Sequence, residues 1–120
     1  FIMLTLKEKS IIYVSLSPVD MRKAINGLTM LVVSQLQSNP QSGDLFLFCN
    51  RSRNKVKGLY WDKNGFVLFY KRLEKDKFKF TLNDKNTSIE ISQKELTWLL
   101  AGFDFAKMSA RPDLDFTDYF

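Results

Sequence analysis

With 120 residues, 45% hydrophobic and 26% charged residues and a net charge of +5, the chain has the composition of one globular domain and not of a disordered protein. It contains no histidine, which excludes histidine metal ligands and Ser-His or Cys-His catalytic pairs. No apolar run approaches the roughly 20 residues of a membrane helix, and the start lacks a signal-peptide pattern, so we expect a cytoplasmic protein without membrane contact.

The first predicted elements are a short strand and a long helix. Residues 11–14 form a β-branched and aromatic run that favours a strand. The stretch Ser17-Pro-Val-Asp20 has the form of a capping box with proline at the first helical position. Apolar residues then recur at helical spacing from Met21 to Leu36. The pattern predicts one helix over residues 18–37.

Three closely spaced strands are predicted next, at residues 45–50, 55–61 and 66–72. Polar turns at 51–54 and 62–65 separate them, and the Asn-Gly pair of the second turn is typical of a tight hairpin that needs positive φ angles. These signals predict an antiparallel meander. Its cysteine, at the end of the first strand, is expected to be buried and structural.

A weaker hairpin and a short helix complete the chain. Residues 78–82 and 88–91 alternate in period two around a polar turn. Ser92 and Glu95 then form a capping box, and Gly102 is placed to end the helix that follows. We therefore expect an α+β fold: a mainly antiparallel sheet of about five or six strands, with the long N-terminal helix packed on it and a short C-terminal helix.

The domain boundaries are drawn near the C-terminus. Residues 1–105 are expected to form a single compact domain, since the chain is too short for two comfortable ones. Residues 106–120 carry acidic and aromatic side chains without periodicity, and we expect a poorly ordered tail there.

The positive charge is concentrated in one region. Residues 51–79 contain ten Lys and Arg and three acidic residues, whereas the rest of the chain is slightly acidic. Such a field attracts polyanions and supplies the sequence-independent part of nucleic-acid affinity, although the solvated face of a sheet would carry the same charges. The residues proposed to contact nucleic acid are Arg22, Lys23, Arg51, Arg53, Lys55, Lys57, Lys63, Lys71 and Arg72.

Aromatic side chains are interleaved with these cations. Tyr60, Trp61 and Tyr70 could stack on unpaired bases or dock a protein partner, and strand aromatics of this kind are also typical of a core. The carboxylates lie in predicted caps and turns, and the glycines form no nucleotide-binding fingerprint. The sequence therefore predicts no catalytic residue, no metal site and no cofactor.

Several blocks of the sequence resemble a known family. They are Pro18-Val-Asp-Met-Arg-Lys23, Gly27-Leu28, Ser42-Gly-Asp-Leu-Phe-Leu-Phe48, Asn50-Arg-Ser-Arg-Asn-Lys-Val-Lys57, Leu59-Tyr-Trp-Asp62 and Gly65-Phe-Val-Leu-Phe-Tyr-Lys-Arg-Leu-Glu74. In this order, over residues 11–105, they resemble the small TnpB accessory protein of bacterial insertion sequences of the group numbered sixty-six. The chain departs from the family pattern at Gly58, where a larger aliphatic residue is common, at Phe69, where tryptophan is frequent, and in its acidic tail.

The resemblance implies a non-enzymatic accessory protein of DNA transposition, encoded beside a transposase. Combined with the charge pattern, it predicts binding to DNA at the element ends through the basic turn and strand, with the transposase or another element-encoded protein as a further partner. The alternative is a protein-interaction module that docks the transposase without touching DNA. A metal-dependent nuclease is the third and weakest hypothesis.

Overall fold

The computed structural model describes residues 9–79, 81–104 and 107–108, which form a five-stranded sheet covered by one helix on each face. Except for residues 107–108, the predicted 106–120 tail lies outside this described part, as do residues 1–8. In chain order the elements are β1 (Ile12–Ser15), α1 (Ile25–Ser34), β2 (Leu45–Cys49), β3 (Lys55–Asp62), β4 (Gly65–Arg72), β5 (Ser88–Ile91) and α2 (Gln93–Leu100).

The sheet has the strand order β4-β3-β2-β1-β5. Strands β1 and β2 are parallel, and the other three neighbouring pairs are antiparallel. A parallel pair needs a crossover connection, and α1 supplies it between β1 and β2. The predicted α+β class, the mainly antiparallel sheet of about five strands and the β2-β3-β4 meander are therefore confirmed.

Side chains of successive strand residues point to opposite faces of the sheet, so α1 and α2 cover different strand side chains. On the α1 face, Leu28 and Val32 of the helix pack on Phe46, Phe48 and Leu59, all essentially inaccessible. On the α2 face, the helix packs on a second buried cluster that includes Ile12, Val14, Leu45, Leu47, Cys49, Val56, Tyr60, Phe78, Leu96, Leu99 and Leu100. Both faces of the central strand β2 are thus buried, as its uninterrupted apolar sequence requires.

The long helix predicted over residues 18–37 is wrong, because α1 spans only Ile25–Ser34. The predicted cap does not form: Ser17 Oγ accepts a hydrogen bond from the backbone N–H of Asn86 instead. The backbone carbonyls of Met21 and Lys23 accept hydrogen bonds from Lys57, a residue of β3. These tertiary contacts hold the segment before α1 in an irregular conformation.

The second predicted hairpin is also wrong, whereas the C-terminal helix is confirmed. Strand β5 pairs with β1, and its predicted partner segment, residues 78–79 and 81–82, is not in a strand. The segment serves the core instead, since Phe78 is fully buried. Helix α2 has the predicted capping box of Ser92 and Glu95, and Gly102 follows it with a φ of 87°.

Candidate nucleic-acid interface

A groove with a volume of about 630 Å³ opens where β3 begins and β4 ends. Three parts of the chain form its walls: the segment that precedes α1, the turn between β2 and β3, and the facing residues of β3 and β4. We call it the basic groove. Its lining consists of Pro18, Val19, Asp20, Met21, Arg22, Asn50, Arg51, Ser52, Lys55 and Tyr70.

Asn50 holds the turn that forms one wall. Its side-chain oxygen accepts hydrogen bonds from the backbone N–H groups of Asn54 and Lys55 at 3.1 and 3.0 Å, and its Nδ2 donates to the Asn54 side chain at 2.7 Å. Arg53 completes the turn with a φ of 59°, and its backbone N–H donates to the Asn50 carbonyl. With its polar groups satisfied internally, the turn presents Arg51 and Ser52 outward as exposed side chains.

Lys57 and Val19 fix the opposite wall. Lys57 Nζ donates to the backbone carbonyls of Met21 and Lys23, both at 2.7 Å. The Val19 backbone N–H donates to the Cys49 carbonyl at 2.8 Å, and the Val19 side chain is buried in the α1-face core. The ammonium group of Lys57 is therefore a structural tether beneath the groove, and the wall it holds carries Arg22.

Arg22 enters the groove paired with Asp20. The guanidinium donates to both carboxylate oxygens, at 2.6 to 3.1 Å, and the Arg22 backbone N–H also donates to Asp20. These hydrogen bonds lower the pKa of Asp20 to about 2, so the carboxylate is charged at any physiological pH. The Arg22 side chain is nevertheless 92% exposed, and an exposed pair of this kind exchanges easily for a phosphate.

Arg51 and Lys55 face the same groove from the turn and from β3. Arg51 lies 3.6 Å from Asp84, but both side chains are more than three-quarters exposed, so the attraction is weak. Lys55 pairs across the sheet with Arg72 and shares its face with Lys57, as the alternation of the strand predicted. Arg72 is hydrogen-bonded through Nε and Nη2 to Glu74 at the open edge of β4.

Tyr70 is the aromatic wall of the groove. It pairs across the sheet with Lys57, whose Nζ lies 5.7 Å from the ring centroid. Half of Tyr70 remains exposed, unlike the other two proposed stacking residues. Tyr60 is only 3% exposed on the α2 face, and Trp61 packs edge-on against Phe66. Of the three aromatic residues proposed from the sequence, Tyr70 is the one placed in the groove.

Of the nine cations proposed from the sequence, three line the groove: Arg22, Arg51 and Lys55. Lys23, Arg53, Lys57 and Arg72 are not part of its lining, and Lys63 and Lys71 are directed elsewhere. Lys63 lies in the β3–β4 turn, about 25 Å along the hairpin from Lys55 at roughly 3.3 Å per residue. This residue, with a φ of 55°, supplies the positive φ angle that the sequence assigned to the Asn-Gly pair. Lys71 points to the α2 face, where Nζ donates to the Leu100 carbonyl at 2.7 Å and satisfies the end of α2.

A second cleft of about 470 Å³, not singled out from the sequence, meets the basic groove at Ser52. The sequence feature that indicates this cleft is the alternation of lysines after β4, at positions 75, 77 and 79 of one loop. The residues that line this cleft are Ser52, Arg53, Asn54, Leu73, Glu74, Lys75, Asp76, Lys77 and Lys79. Lys79 is paired with Asp76 at 2.9 Å, and Lys75 and Lys77 are exposed.

The part of the chain that the structure describes contains neither a metal-binding cluster nor a membrane-spanning helix. Within these ranges, no three Asp, Glu or Cys side chains come together as a metal ion would need. No helix among the same residues is long and apolar enough to cross a membrane.

Comparisons with known proteins identify the family. The family model described as "IS66 Orf2 like protein" matches residues 10–110. Two proteins of Sinorhizobium fredii (strain NBRC 101917 / NGR234) are similar to the chain. One, "Uncharacterized protein y4jC", is 37% identical over 101 residues, which cover 84% of this chain and 86% of the relative. The other, "Uncharacterized protein y4hO", is 33% identical over 94 residues, covering 78% and 81%. No solved structure matches. The chain therefore belongs to the IS66 Orf2-like family.

Proposed function

We propose that this protein assists transposition of its insertion sequence by binding DNA through the basic groove. Membership of the IS66 Orf2-like family suggests an accessory role in transposition, with element-encoded partners. The observation that carries the DNA-binding part is the convergence of Arg22 with Arg51 and Lys55, about 30 residues later in the sequence, onto one groove that also contains an exposed tyrosine.

The groove suits phosphate groups for a physical reason. Arg22 and Arg51 are exposed and held by exchangeable surface pairs, and half-buried Lys55 has no ion pair among the described residues. A phosphate therefore replaces a weak partner without leaving a buried charge behind. The rigid turn and the Lys57 tether hold the two walls in position before the ligand arrives, which reduces the entropy lost on binding.

The proposed role is non-enzymatic. The IS66 Orf2-like family is not a known family of enzymes. The residues of the groove supply cations, amides and one phenol, and its carboxylate, Asp20, is engaged by Arg22. Such a set binds and positions a polyanion, and the chemistry of strand transfer would then belong to the transposase.

The test is a fluorescence anisotropy titration with DNA from the element's terminal inverted repeat, at several salt concentrations. The double variant Arg51→Glu/Lys55→Glu should weaken binding at least tenfold for every DNA sequence, and it should reduce the salt dependence. Arg51→Glu alone is compared with the matched control Lys63→Glu, which makes the same single charge reversal at the far end of the same hairpin and should leave the affinity within about twofold.

Two results would contradict the proposal. One is the absence of binding by the wild-type protein even at low salt. The other is an equal loss in Arg51→Glu and in Lys63→Glu, because that would locate the effect in the net charge of the protein rather than in the groove.

A second candidate function, docking of the transposase, is favoured by a different surface. Met30 and Val33 of α1 are 69% and 56% exposed, and they line an apolar hollow with Pro40 and Phe66. Exposed apolar residues grouped in this way are typical of protein interfaces. If docking is the function, Met30→Ser/Val33→Ser abolishes co-purification with the transposase, whereas the Arg51→Glu/Lys55→Glu variant retains it and salt has little effect.

A further inference from the structure

Tyr70 stands among cations rather than in the core. Its neighbours on the same face of β3 and β4 are Lys57, directly opposite, and Lys55 and Arg72, which form the adjacent cross-strand pair. Lys57 lies over the ring, and half of the residue remains exposed to the groove. The groove thus offers one aromatic surface next to guanidinium and ammonium groups.

The size of the groove limits what can reach that ring. A volume of about 630 Å³ is in the range of sites that enclose small molecules, which suits a single nucleotide. The bases of a duplex are stacked on each other inside the helix and cannot stack on a protein side chain without unpairing. A duplex could therefore contact the rim of the groove with its phosphates but would leave Tyr70 unused.

The second cleft indicates where the neighbouring phosphates would lie. It meets the basic groove at Ser52 and adds Lys75, Lys77 and Lys79, while its two acidic residues, Glu74 and Asp76, are paired with Arg72 and Lys79. A strand that occupies both clefts would pass over the turn that carries Ser52. Duplex DNA, with a persistence length of about 50 nm, is too stiff to adapt to adjoining clefts, whereas a single strand adapts easily.

We propose that the basic groove binds single-stranded DNA, with one unpaired base stacked on Tyr70, its phosphate against Arg51 and Lys55, and the adjoining strand continued past Ser52 into the second cleft. This inference rests on the proposed function, because it names the form of DNA that the same site takes. Stacking on an aromatic residue tolerates any base, so the site has little sequence preference.

The experiment compares a labelled 12-nucleotide single strand with the duplex of the same sequence, using the full chain and anisotropy. The single strand should bind at least tenfold more tightly than the duplex. Tyr70→Leu should weaken single-strand binding about tenfold, within the range of base stacking on aromatic residues, and leave duplex binding unchanged. Tyr70→Phe keeps the ring and should retain the wild-type affinity; circular dichroism and urea unfolding verify that both variants fold.

A separate charge reversal tests the path. Lys75→Glu/Lys77→Glu should weaken the 12-nucleotide strand but not a dinucleotide, which is too short to leave the basic groove. A dinucleotide or mononucleotide that binds as tightly as the 12-nucleotide strand overturns the strand proposal in favour of a small-molecule site. Tighter binding of RNA than of DNA of the same sequence overturns it as well.

The remaining outcomes separate this inference from the proposed function. Equal or tighter binding of the duplex, or a Tyr70→Leu variant that binds the single strand like wild type, overturns the inference and leaves DNA binding by the basic groove intact. Failure of both DNA forms to bind at low salt overturns both.

Discussion

The ring of Phe69 lies against the α-carbon of Gly58, its partner on the neighbouring strand. A Cβ atom at position 58 would overlap the ring, with Cδ1 of Phe69 only 2.7 Å away. These are the two strand positions at which the sequence departs from the family pattern it resembles, and the structure shows that they are in contact. The glycine makes room for the ring on the α2 face of the sheet.

Gly58→Ala is therefore expected to destabilise the protein by about 1–3 kcal/mol, the usual cost of inserting a methyl group into a packed core. The free energy of unfolding in urea measures it. The matched control is Gly65→Ala, since a Cβ at that position meets no atom within 4 Å and should change stability by less than about 0.5 kcal/mol. In a Phe69→Leu background the cost of Gly58→Ala should fall, and an undiminished cost would show that the ring is not the cause.

Lys57→Met should lower the free energy of unfolding by about 1–3 kcal/mol, because two backbone carbonyls lose a charged hydrogen-bond donor. Lys55→Met is the matched control: Lys55 is on the same face of β3 but makes no such bond, so its replacement should affect DNA affinity and leave stability nearly unchanged. Urea unfolding of the two variants distinguishes them. Equal stability of both would contradict a structural role for Lys57.

The meander could be predicted from sequence because each strand carries its own period-two pattern and its own turn residues. The start of α1 could not. Residues 17–20 have the sequence of a helix cap, yet the carbonyls of Met21 and Lys23 accept hydrogen bonds from Lys57. Lys57 is 36 and 34 residues away from them in the sequence, and no local pattern reveals such a contact. The pairing of β5 with β1 has the same origin, since it joins segments more than 70 residues apart.

In the candidate site, too, the arrangement within one strand could be predicted from the sequence, and the contacts between distant segments could not. Alternation along β3 placed Lys55 and Lys57 on one face, as the structure has them. The approach of Arg22 to Arg51 depends on the parallel crossover between β1 and β2, which the sequence did not reveal. The position of Lys71 outside the groove could not be predicted, because nothing near it in the sequence indicates that its ammonium group binds the end of the distant helix α2.

Asp20→Asn should increase the DNA affinity about 2- to 5-fold, because it removes an anion from the groove and releases Arg22 for a phosphate. Asparagine can still accept the Arg22 backbone N–H, so the fold of the segment is retained. The salt dependence should steepen by about 0.7 in log-log slope if one more phosphate of a single strand is neutralised. The same substitution at Asp62, at the far end of β3, should have no effect. An unchanged or weaker affinity of Asp20→Asn would show that Arg22 does not reach DNA.

The pKa of Asp20 gives this comparison a pH signature. Since the folded-state pKa is lowered to about 2 from an ordinary value of 3.8, the carboxylate stays ionised as the pH falls from 7 to 4. Its stabilising contribution is present above pH 3.8 and is lost only as the pH falls through 2. When a phosphate takes Arg22, Asp20 loses the hydrogen bonds that lower its pKa, so in the complex it gains a proton as the pH approaches 4. The affinity difference between wild type and Asp20→Asn should therefore be constant from pH 8 to pH 6 and shrink at pH 4, as titrations at the three values will test.

Cys49 should be chemically inert in the folded protein. It is 1% exposed at the end of β2, and burial raises its pKa to about 12, so almost no thiolate forms at pH 8 and a thiol reagent cannot reach the sulfur. Labelling with such a reagent should be slow in buffer and fast in denaturant; equal rates would contradict the packing of β2.

The raised pKa of Cys49 also makes the stability of the protein depend on pH. Below pH 9 the thiol is protonated in both states and has no effect. Between pH 9 and 12 the unfolded chain alone loses the proton and stability falls, by on the order of 1 kcal/mol at pH 10. Cys49→Ala lacks this contribution, so its stability relative to wild type should rise over that interval.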